Sequence, residues 1–263
     1  MKSITPIIFF MFILINSMFC QTDFKVIKVN GTILQKTKGT SLETGTVFSD
    51  KEELVFRSED ATAAVINSQV GRLVLTSKNH DLASARSNYL PAMYNISSRS
   101  ISISDNSDLS SLFSGKYVVL ERQSIEIDDK AFPMNNDHFF FLRYVFNGED
   151  INKKLDYSGD TLIIERKNLF TVDGKPIPSA DNTSIKLFYR KGTESVSISE
   201  FDLIFPDMNQ LKKEVKVILD EIKGKPVKEK IGEIGSYINE NYGKVRSENL
   251  TTWLKSNFGL KTD

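Results

Sequence analysis

The chain has 263 residues, of which 40% are hydrophobic and 26% charged, and its 34 basic and 34 acidic residues give a formal net charge of zero. This composition is typical of a globular protein and argues against a mainly disordered chain. A neutral chain also lacks the basic surface that displaces counterions from nucleic-acid phosphates, so we expect no nucleic-acid partner.

The N-terminus has the features of a cleavable secretory signal peptide. Lys2 gives a basic start, and the apolar stretch Ile7–Phe19 is long enough for export but too short to span a bilayer comfortably. The expected cut follows Cys20, which makes residues 1–20 the signal peptide. A lipid anchor at Cys20 is the alternative, although lipoprotein signals normally place a small residue where this chain has Phe19. We therefore expect an extracytoplasmic protein that is periplasmic, secreted or held at the cell surface.

Cleavage after Cys20 removes the single cysteine of the sequence. The mature chain then has no disulfide, no thiolate nucleophile and no cysteine ligand, so a hydrophobic core must hold it together. About 240 residues are enough for one large domain or two small ones. The most apolar later run, Phe139–Phe146, is interrupted by Arg143 and predicts a strand, so we expect no transmembrane helix after the signal peptide.

Residues 21–78 predict a small all-β module. The strand Phe24–Val29 is followed at once by Asn30-Gly31 and then by Thr32–Leu34. Because Asn and Gly both tolerate positive φ, this pair predicts a type I′ turn and a hairpin between the two strands. Further short strands are expected at Leu54–Phe56, Ala63–Ile66 and Gly71–Leu75. Short strands at this spacing indicate a barrel or a sandwich.

A spaced pattern of glycine and apolar positions lies within this module: Gly39-x-x-Leu42-x-x-Gly45-x-x-Phe48. Together with the alanine-rich strand Ala61–Ile66 and the turn at Gly71, it resembles the β module of FecR-like proteins, which occur in bacterial periplasms and at cell surfaces. The resemblance covers about a fifth of the chain, and its motifs are structural positions rather than reactive groups. It implies an all-β fold for residues 21–78 and, beyond that, an accessory role in uptake signalling.

Residues 79–205 predict a second, antiparallel β unit, because its strands follow one another without the strand–helix alternation of a Rossmann-like sheet. The expected strands are Tyr117–Leu120, Ser124–Ile127, Phe139–Phe146, Thr161–Glu165, Ile185–Tyr189 and Val196–Phe205. Asn147-Gly148 and Asp173-Gly174 predict tight turns. A short helix is expected at Leu109–Phe113, capped by Asp108 or Ser107.

Residues 206–263 change to the period of amphipathic helices. Apolar residues recur at intervals of three and four in three sets: Met208, Leu211, Val215, Ile218 and Ile222; Val227, Ile231, Ile234 and Ile238; and Leu250, Trp253, Leu254 and Phe258. Gly224 and Gly243 end the first two helices. Pro226 suits the start of the second helix, and Ser247 is the expected cap of the third. The predicted fold class is therefore α+β, with a C-terminal segment of two or three helices.

Reactive side chains form no recognisable catalytic or metal-binding motif. His80 and His138 lack the H-x-x-H or H-E-x-x-H spacing that places two ligands on one helix face. The loop Asp128–Asp137 is rich in oxygen ligands for calcium, but it does not match an EF-hand, and a solvated turn is the favoured interpretation. Asp160 with Glu165 would suit a glycosidase only if the fold held them about 5–9 Å apart. We predict neither a metal nor a cofactor.

The aromatic residues of the strand Phe139–Phe146 are the candidate partner-binding residues: Phe139, Phe141 and Tyr144. Because alternate residues of a strand face opposite sides, Phe139 and Phe141 share one face, and Tyr144 belongs to the other. Both faces therefore carry aromatic side chains. One interpretation is a strand buried on both sides, and the other is an exposed aromatic face that binds a partner protein or a glycan.

These patterns favour an exported, non-enzymatic envelope or surface protein that acts as a binding or adaptor module, with an envelope protein or a glycan as its partner. An envelope hydrolase acting on glycan or peptide is the first alternative. An accessory in FecR-type uptake signalling is the second alternative, and it follows from the resemblance alone.

Overall fold

A computed structural model describes residues 23–79, 103–172, 174–177 and 184–261. The architecture is mixed α+β, as the sequence predicts, with several sheets followed by C-terminal helices. Among the described residues, no helix is long and apolar enough to cross a membrane.

The first β unit contains two small antiparallel sheets. Its strands are β1 (Asp23–Asn30), β2 (Ile33–Gln35), β3 (Val47–Ser49), β4 (Leu54–Phe56), β5 (Thr62–Asn67) and β6 (Gly71–Thr76). One sheet has the order β3-β1-β5-β6, and the other pairs β2 with β4. Apolar side chains from both sheets, including Phe24, Ile33 and Leu54, share one core.

The hairpin predicted at Asn30-Gly31 is wrong. β1 pairs with β3 and β5, and β2 pairs with β4, so the first two strands are not partners. Gly31 has a φ of 75°, but Asn30 does not have the positive φ that a type I′ turn requires. The chain instead passes close to Ala61, whose Cβ lies 3.0 Å from the position that a Gly31 Cβ would occupy. Both edges of β1 are already paired, and Ile33 contributes to the core within the second sheet.

The second β unit is built on a six-stranded sheet of order β10-β9-β15-β16-β7-β17. Its strands are β7 (Lys116–Val118), β9 (His138–Phe146), β10 (Glu149–Lys154), β15 (Ser184–Lys191), β16 (Glu194–Ile204) and β17 (Lys244–Val245). Most neighbours are antiparallel, as predicted, but β7 runs parallel to both β16 and β17. Parallel neighbours need long connections, and β17 arrives from within the helical segment.

A three-stranded sheet of order β11-β12-β8 packs against the six-stranded sheet. The remaining elements of this unit are β8 (Arg122–Glu126), β11 (Asp156–Ser158), β12 (Thr161–Glu165), β13 (Thr171–Val172), β14 (Lys175–Pro176), α1 (Asn106–Leu112) and α2 (Arg166–Leu169). The core between the two sheets is rich in aromatic side chains, among them Phe113, Tyr117 and Phe140. β8 lies at one edge of its sheet.

Two turn predictions in this unit have clear outcomes. Asn147 and Gly148 have φ angles of 52° and 83° and join β9 to β10 in a two-residue hairpin, which confirms the tight turn. Val172 and Lys175 pair across the second turn, where Gly174 has a φ of 76°, while Asp173 lies outside the described residues.

The predicted cap of α1 is wrong by two or three residues. Asp105 is the N-cap, because its carboxylate accepts hydrogen bonds from the backbone N–H groups of Ser107 and Asp108 at 2.7 and 2.9 Å. Asp108 lies inside the helix, and its side chain accepts from Ser104 instead.

The C-terminal segment forms three helices: α3 (Met208–Glu221), α4 (Val227–Asn241) and α5 (Ser247–Phe258). The cap predicted at Ser247 is wrong, because Arg246 is the N-cap and Ser247 is the first helical residue. Lys244 and Val245 are held in β17, so Arg246 alone is left to turn the chain into the helix. Pro226 is the N-cap of α4 rather than its first residue.

The helices pack against both β units. Their apolar faces share a core with Ile27, Ala64 and Ile66 of the first sheet and with Val118 and Leu120 of the second unit. The four-stranded sheet is therefore buried on both faces, since its other face lines the core of the first β unit. The helical segment joins the two β units into one packed structure.

Candidate functional site

The aromatic residues singled out in the sequence do not form one exposed surface. Tyr144 is 2% exposed, and its hydroxyl donates to the Leu169 carbonyl oxygen at 2.7 Å. Phe141 is 7% exposed and stacks on Phe188, with ring centroids 5.1 Å apart. Phe139 is half-buried, and its ring is covered by Lys154 Nζ at 4.4 Å from the centroid. β9 therefore packs on both faces.

The candidate metal and acid residues also have ordinary structural contacts. His138 is the first residue of β9 and contacts Asn135, whereas His80 lies outside the described residues. In the Asp128–Asp137 loop, Asp128 accepts a hydrogen bond from the Lys130 backbone N–H, as is typical of a turn. Within the ranges that the structure describes, no three His, Cys, Asp or Glu side chains converge to hold a metal.

Asp160 and Glu165 stand at opposite ends of β12 and are not brought together. Five residues at about 3.3 Å each place their Cα atoms about 16 Å apart, beyond the separation used by glycosidases. Asp160 accepts from the Thr161 hydroxyl, and Glu165 forms an ion pair with Lys167 at 3.0 Å. The pair therefore offers no paired-carboxylate chemistry.

A cleft that the sequence did not reveal lies between the start of β8 and α5, with a volume of about 340 Å³. We call it the β8–α5 cleft. One wall is residues 120–124, and the other is one face of α5, formed by Glu248, Asn249, Thr252, Trp253 and Ser256. These five positions repeat at intervals of about four residues, so a single helix face supplies the whole wall.

The turn that leads into β8 is unusually tight. The Arg122 backbone N–H donates to the Leu120 carbonyl oxygen at 2.7 Å, which closes a γ-turn around Glu121. Glu121 has a φ of 61°, a left-handed conformation that costs a residue with a side chain about 1–3 kcal/mol. This strained residue also borders a second cleft of about 450 Å³, next to Arg166 and Met208. Strain of this kind often marks functional sites.

Asn249 fixes α5 to this turn. Its Oδ1 accepts from the Leu120 backbone N–H at 2.8 Å, and its Nδ2 donates to the carbonyl oxygens of Leu120 and Arg122 at 3.1 and 2.8 Å. The side chain is buried, and its acceptor and donors are all engaged. A side-chain amide thus makes hydrogen bonds of the kind that peptide groups of a neighbouring strand would make.

Two other buried polar side chains at the cleft have no such partners. Gln123 and Trp253 are 2% and 3% exposed, and neither the Gln123 amide nor Trp253 Nε1 finds a hydrogen-bond partner among the described residues. The Tyr117 hydroxyl faces Gln123 without reaching hydrogen-bond geometry, and burial raises the pKa of this phenol. Each unpartnered buried polar group costs about 1–3 kcal/mol, so the Gln123 amide and the Trp253 indole N–H at one cleft require an explanation.

A second buried polar cluster, between the first β unit and the helices, is satisfied in full. The Arg72 guanidinium donates to Glu233 at 2.9 Å and binds the Glu240 carboxylate through two nitrogens. Burial disfavours the charged form of Arg72, but its contacts with Glu240 and Glu233 outweigh this effect and raise its pKa.

The same junction contains a fully buried carboxylate, Glu214, which accepts from the hydroxyls of Tyr237 and Tyr242 at 2.8 and 2.6 Å. Gln210 donates to its other oxygen at 3.0 Å. Burial raises the pKa of both tyrosines, so they remain protonated donors. Lys28 lies over the Tyr242 ring, where burial lowers its pKa while the charge of Glu214 raises it. This cluster is explained by its role in holding the fold.

The β8–α5 cleft is suited to hydrogen bonding rather than to proton transfer. Glu121, Arg122 and Glu248 are its charged lining residues, and the two carboxylates are paired, Glu121 with Lys212 at 3.6 Å and Glu248 with Arg246 at 3.2 Å. The hydroxyls of Ser124, Thr252 and Ser256 also line the cleft. The unpartnered donors and acceptor of Gln123 and Trp253 lie beside these neutral groups. The arrangement matches a ligand that offers both hydrogen-bond donors and acceptors without a strong net charge.

No protein-family model matches the chain, and no curated protein matches it. The FecR-like module therefore stays a prediction from the sequence.

Proposed function

We propose that the protein is an exported, non-enzymatic binding module of the cell envelope or cell surface, and that the β8–α5 cleft is where it binds its partner. The observation that carries the proposal is the pair of buried polar side chains at this cleft, Gln123 and Trp253, that lack hydrogen-bond partners among the described residues. A ligand that supplies those partners gains binding free energy, because it satisfies polar groups whose burial without hydrogen bonds destabilises the unbound protein.

Export is supported by the sequence alone. The basic residue Lys2 followed by the apolar stretch Ile7–Phe19 is typical of a signal peptide, and polar residues follow Cys20. An envelope or surface location places an envelope protein within reach as the partner. A glycan is the other partner class that such a location provides.

The test is capture from the solubilised cell envelope by the tagged mature protein, compared with two tryptophan variants of α5. Thr252→Trp fills the cleft, because Thr252 lines it. Lys255→Trp is the matched control, since Lys255 is exposed on the same helix and does not line the cleft. We expect wild type and Lys255→Trp to recover the same component in similar amounts, and Thr252→Trp to lose it.

Equal recovery by Thr252→Trp and wild type would contradict the cleft as the binding site. Thermal unfolding of both variants checks that the helix is intact. Because both substitutions add the same side chain to the same helix, a difference between them reports on the cleft and not on tryptophan itself.

A further inference from the structure

The outer edge of β8, which is unpaired within the described part of the chain, indicates what the cleft binds. Resting on the proposed function above, we infer that the partner is a protein and that it inserts a short extended peptide segment beside β8, adding a strand to the edge of the three-stranded sheet. Strand addition of this kind combines main-chain hydrogen bonds with pockets for alternate side chains.

The direction of the β8 backbone groups follows from its pairing. The Ile127 N–H donates to the Asp160 carbonyl oxygen at 2.9 Å, so the backbone of Ile127 faces β12. Since successive residues alternate, the backbone groups of Ile125 and Gln123 also face β12, and those of Ser124 and Glu126 face away from the sheet. β8 is the last strand of its sheet, so no strand of the described chain covers this edge.

Both ends of this edge are already occupied in a strand-like manner. At one end, the Asn249 amide binds the outward-facing backbone of Leu120 and Arg122. At the other end, Ile103 bridges to Ile127 in a parallel sense and accepts from the Asp128 N–H at 2.9 Å. Ser124 lies between these contacts, and its N–H and C=O have no partner among the described residues. The open stretch therefore accommodates a segment of only a few residues.

Asn249 shows which chemical group this edge accepts. Its side-chain amide has the carbonyl and N–H of a peptide bond and one further N–H, and it makes one acceptor and two donor contacts with β8 and the turn before it. A peptide that continues from Asn249 along the edge would present its next amide to Ser124. Unpartnered backbone groups at sheet edges are templates for such pairing.

Neighbouring side chains favour a segment with polar character. Ser124 is small, so no bulky group obstructs the approach to its backbone. Exposed Arg122 and Glu126 flank it with opposite charges, which gives the edge a direction and suits a segment with complementary charges at its two ends. The amide of Gln123 and the indole N–H of Trp253 offer further hydrogen bonds to groups that enter the cleft.

Two substitutions at one position separate the backbone from the side chain. Ser124→Pro removes the outward N–H without removing a hydrogen bond to β12, as proline is tolerated at sheet edges. Ser124→Ala removes the hydroxyl and keeps the N–H. The probe is a peptide selected on wild type from a phage-displayed library of random dodecapeptides, with counter-selection against Thr252→Trp.

We expect the selected peptide to bind Ser124→Ala with an affinity within about twofold of wild type. It should bind Ser124→Pro about tenfold more weakly, because this variant loses a main-chain hydrogen bond and its ring obstructs the peptide. Amide hydrogen exchange by NMR on the wild-type protein provides a second measurement that requires no variant. Peptide binding should slow exchange at Ser124, whose N–H has no partner in the ranges that the structure describes, and leave Ile125, which is paired with β12, unchanged.

The outcomes distinguish this inference from the proposed function. A peptide that binds Ser124→Pro as well as wild type, without protecting Ser124, overturns strand addition but leaves the cleft as the site. Failure to select any peptide, while an envelope glycan binds wild type and not Thr252→Trp, overturns the peptide as ligand. If neither the peptide library nor the envelope extract contains a component that binds wild type more strongly than Thr252→Trp, the proposed function is overturned as well.

Discussion

Two junctions of the helical segment bury polar side chains, and they differ in whether those side chains have partners. Where the helices meet the first β unit, Arg72 binds two carboxylates and Glu214 accepts three hydrogen bonds. Where α5 meets β8, Gln123 and Trp253 are equally buried and have no partner among the described residues. The first arrangement stabilises the fold. The second has a cost for the fold, which the proposed ligand would offset by supplying the missing partners.

The largest expected effect on stability is at the satisfied junction. Arg72→Met removes the cation and leaves Glu233 and Glu240 without it. Loss of one member of a buried ion pair costs about 3–5 kcal/mol, and we expect the lower end because the Glu240 side chain is 27% exposed. Urea unfolding at pH 7 measures this change.

The matched control is Lys36→Met, which removes an ion pair of similar geometry at the surface. Lys36 and Glu53 lie 2.7 Å apart with side chains 60% and 62% exposed, so the expected loss is below about 1 kcal/mol. Equal losses for Arg72→Met and Lys36→Met would show that the junction does not depend on its buried cation.

A smaller effect is expected for a single satisfied hydroxyl in the core. Tyr144→Phe removes the hydrogen bond to Leu169 and should lower the free energy of unfolding by about 1–2 kcal/mol at pH 7. Burial raises the pKa of Tyr144 from 10.0 to about 12. Because the folded protein holds this proton more tightly than the unfolded chain, the stabilisation is complete below pH 10 and is lost as the pH rises through 12.

Urea unfolding between pH 9 and pH 12 would therefore show a shallower decline for Tyr144→Phe than for wild type. Part of the decline should persist in the variant, because burial also raises the pKa of Tyr237 and Tyr242. Parallel pH profiles for the two proteins would contradict this assignment of the alkaline loss.

Elements with a strong local pattern were predictable from the sequence. The three C-terminal helices follow apolar residues at intervals of three and four, and β12 coincides with the run Thr161–Glu165. The turn at Asn147-Gly148 was also predictable, because both residues adopt the positive φ that they tolerate. In these places the local preference and the tertiary structure agree.

Elements determined by distant contacts were not predictable. Asn30-Gly31 has the composition of a hairpin turn, but β1 is already paired on both edges by strands that come later in the chain. β10 is almost entirely polar and forms because β9 pairs with it across a tight turn. β17 has only two residues, and it is a strand because these residues pair in parallel with β7.

The β8–α5 cleft was missed because its two walls are far apart in sequence. Glu248, Thr252 and Ser256 recur every four residues and resemble any solvated helix face, while Gln123 is a polar residue at a buried position of a short strand. The unusual local feature of the cleft is the γ-turn at Glu121. The sequence does not reveal this turn, because a single glutamate before a strand does not predict a positive φ.

The most direct test of the β8–α5 cleft as a binding site is the substitution Gln123→Met, with stability and capture measured on the same protein. Methionine has a similar size and no amide to leave without partners, so the free energy of unfolding should stay unchanged or rise by up to about 1 kcal/mol. Capture of the envelope component should fall sharply. A protein that is destabilised by more than about 1 kcal/mol and still captures its partner normally would mean that the Gln123 amide serves the fold and not the ligand.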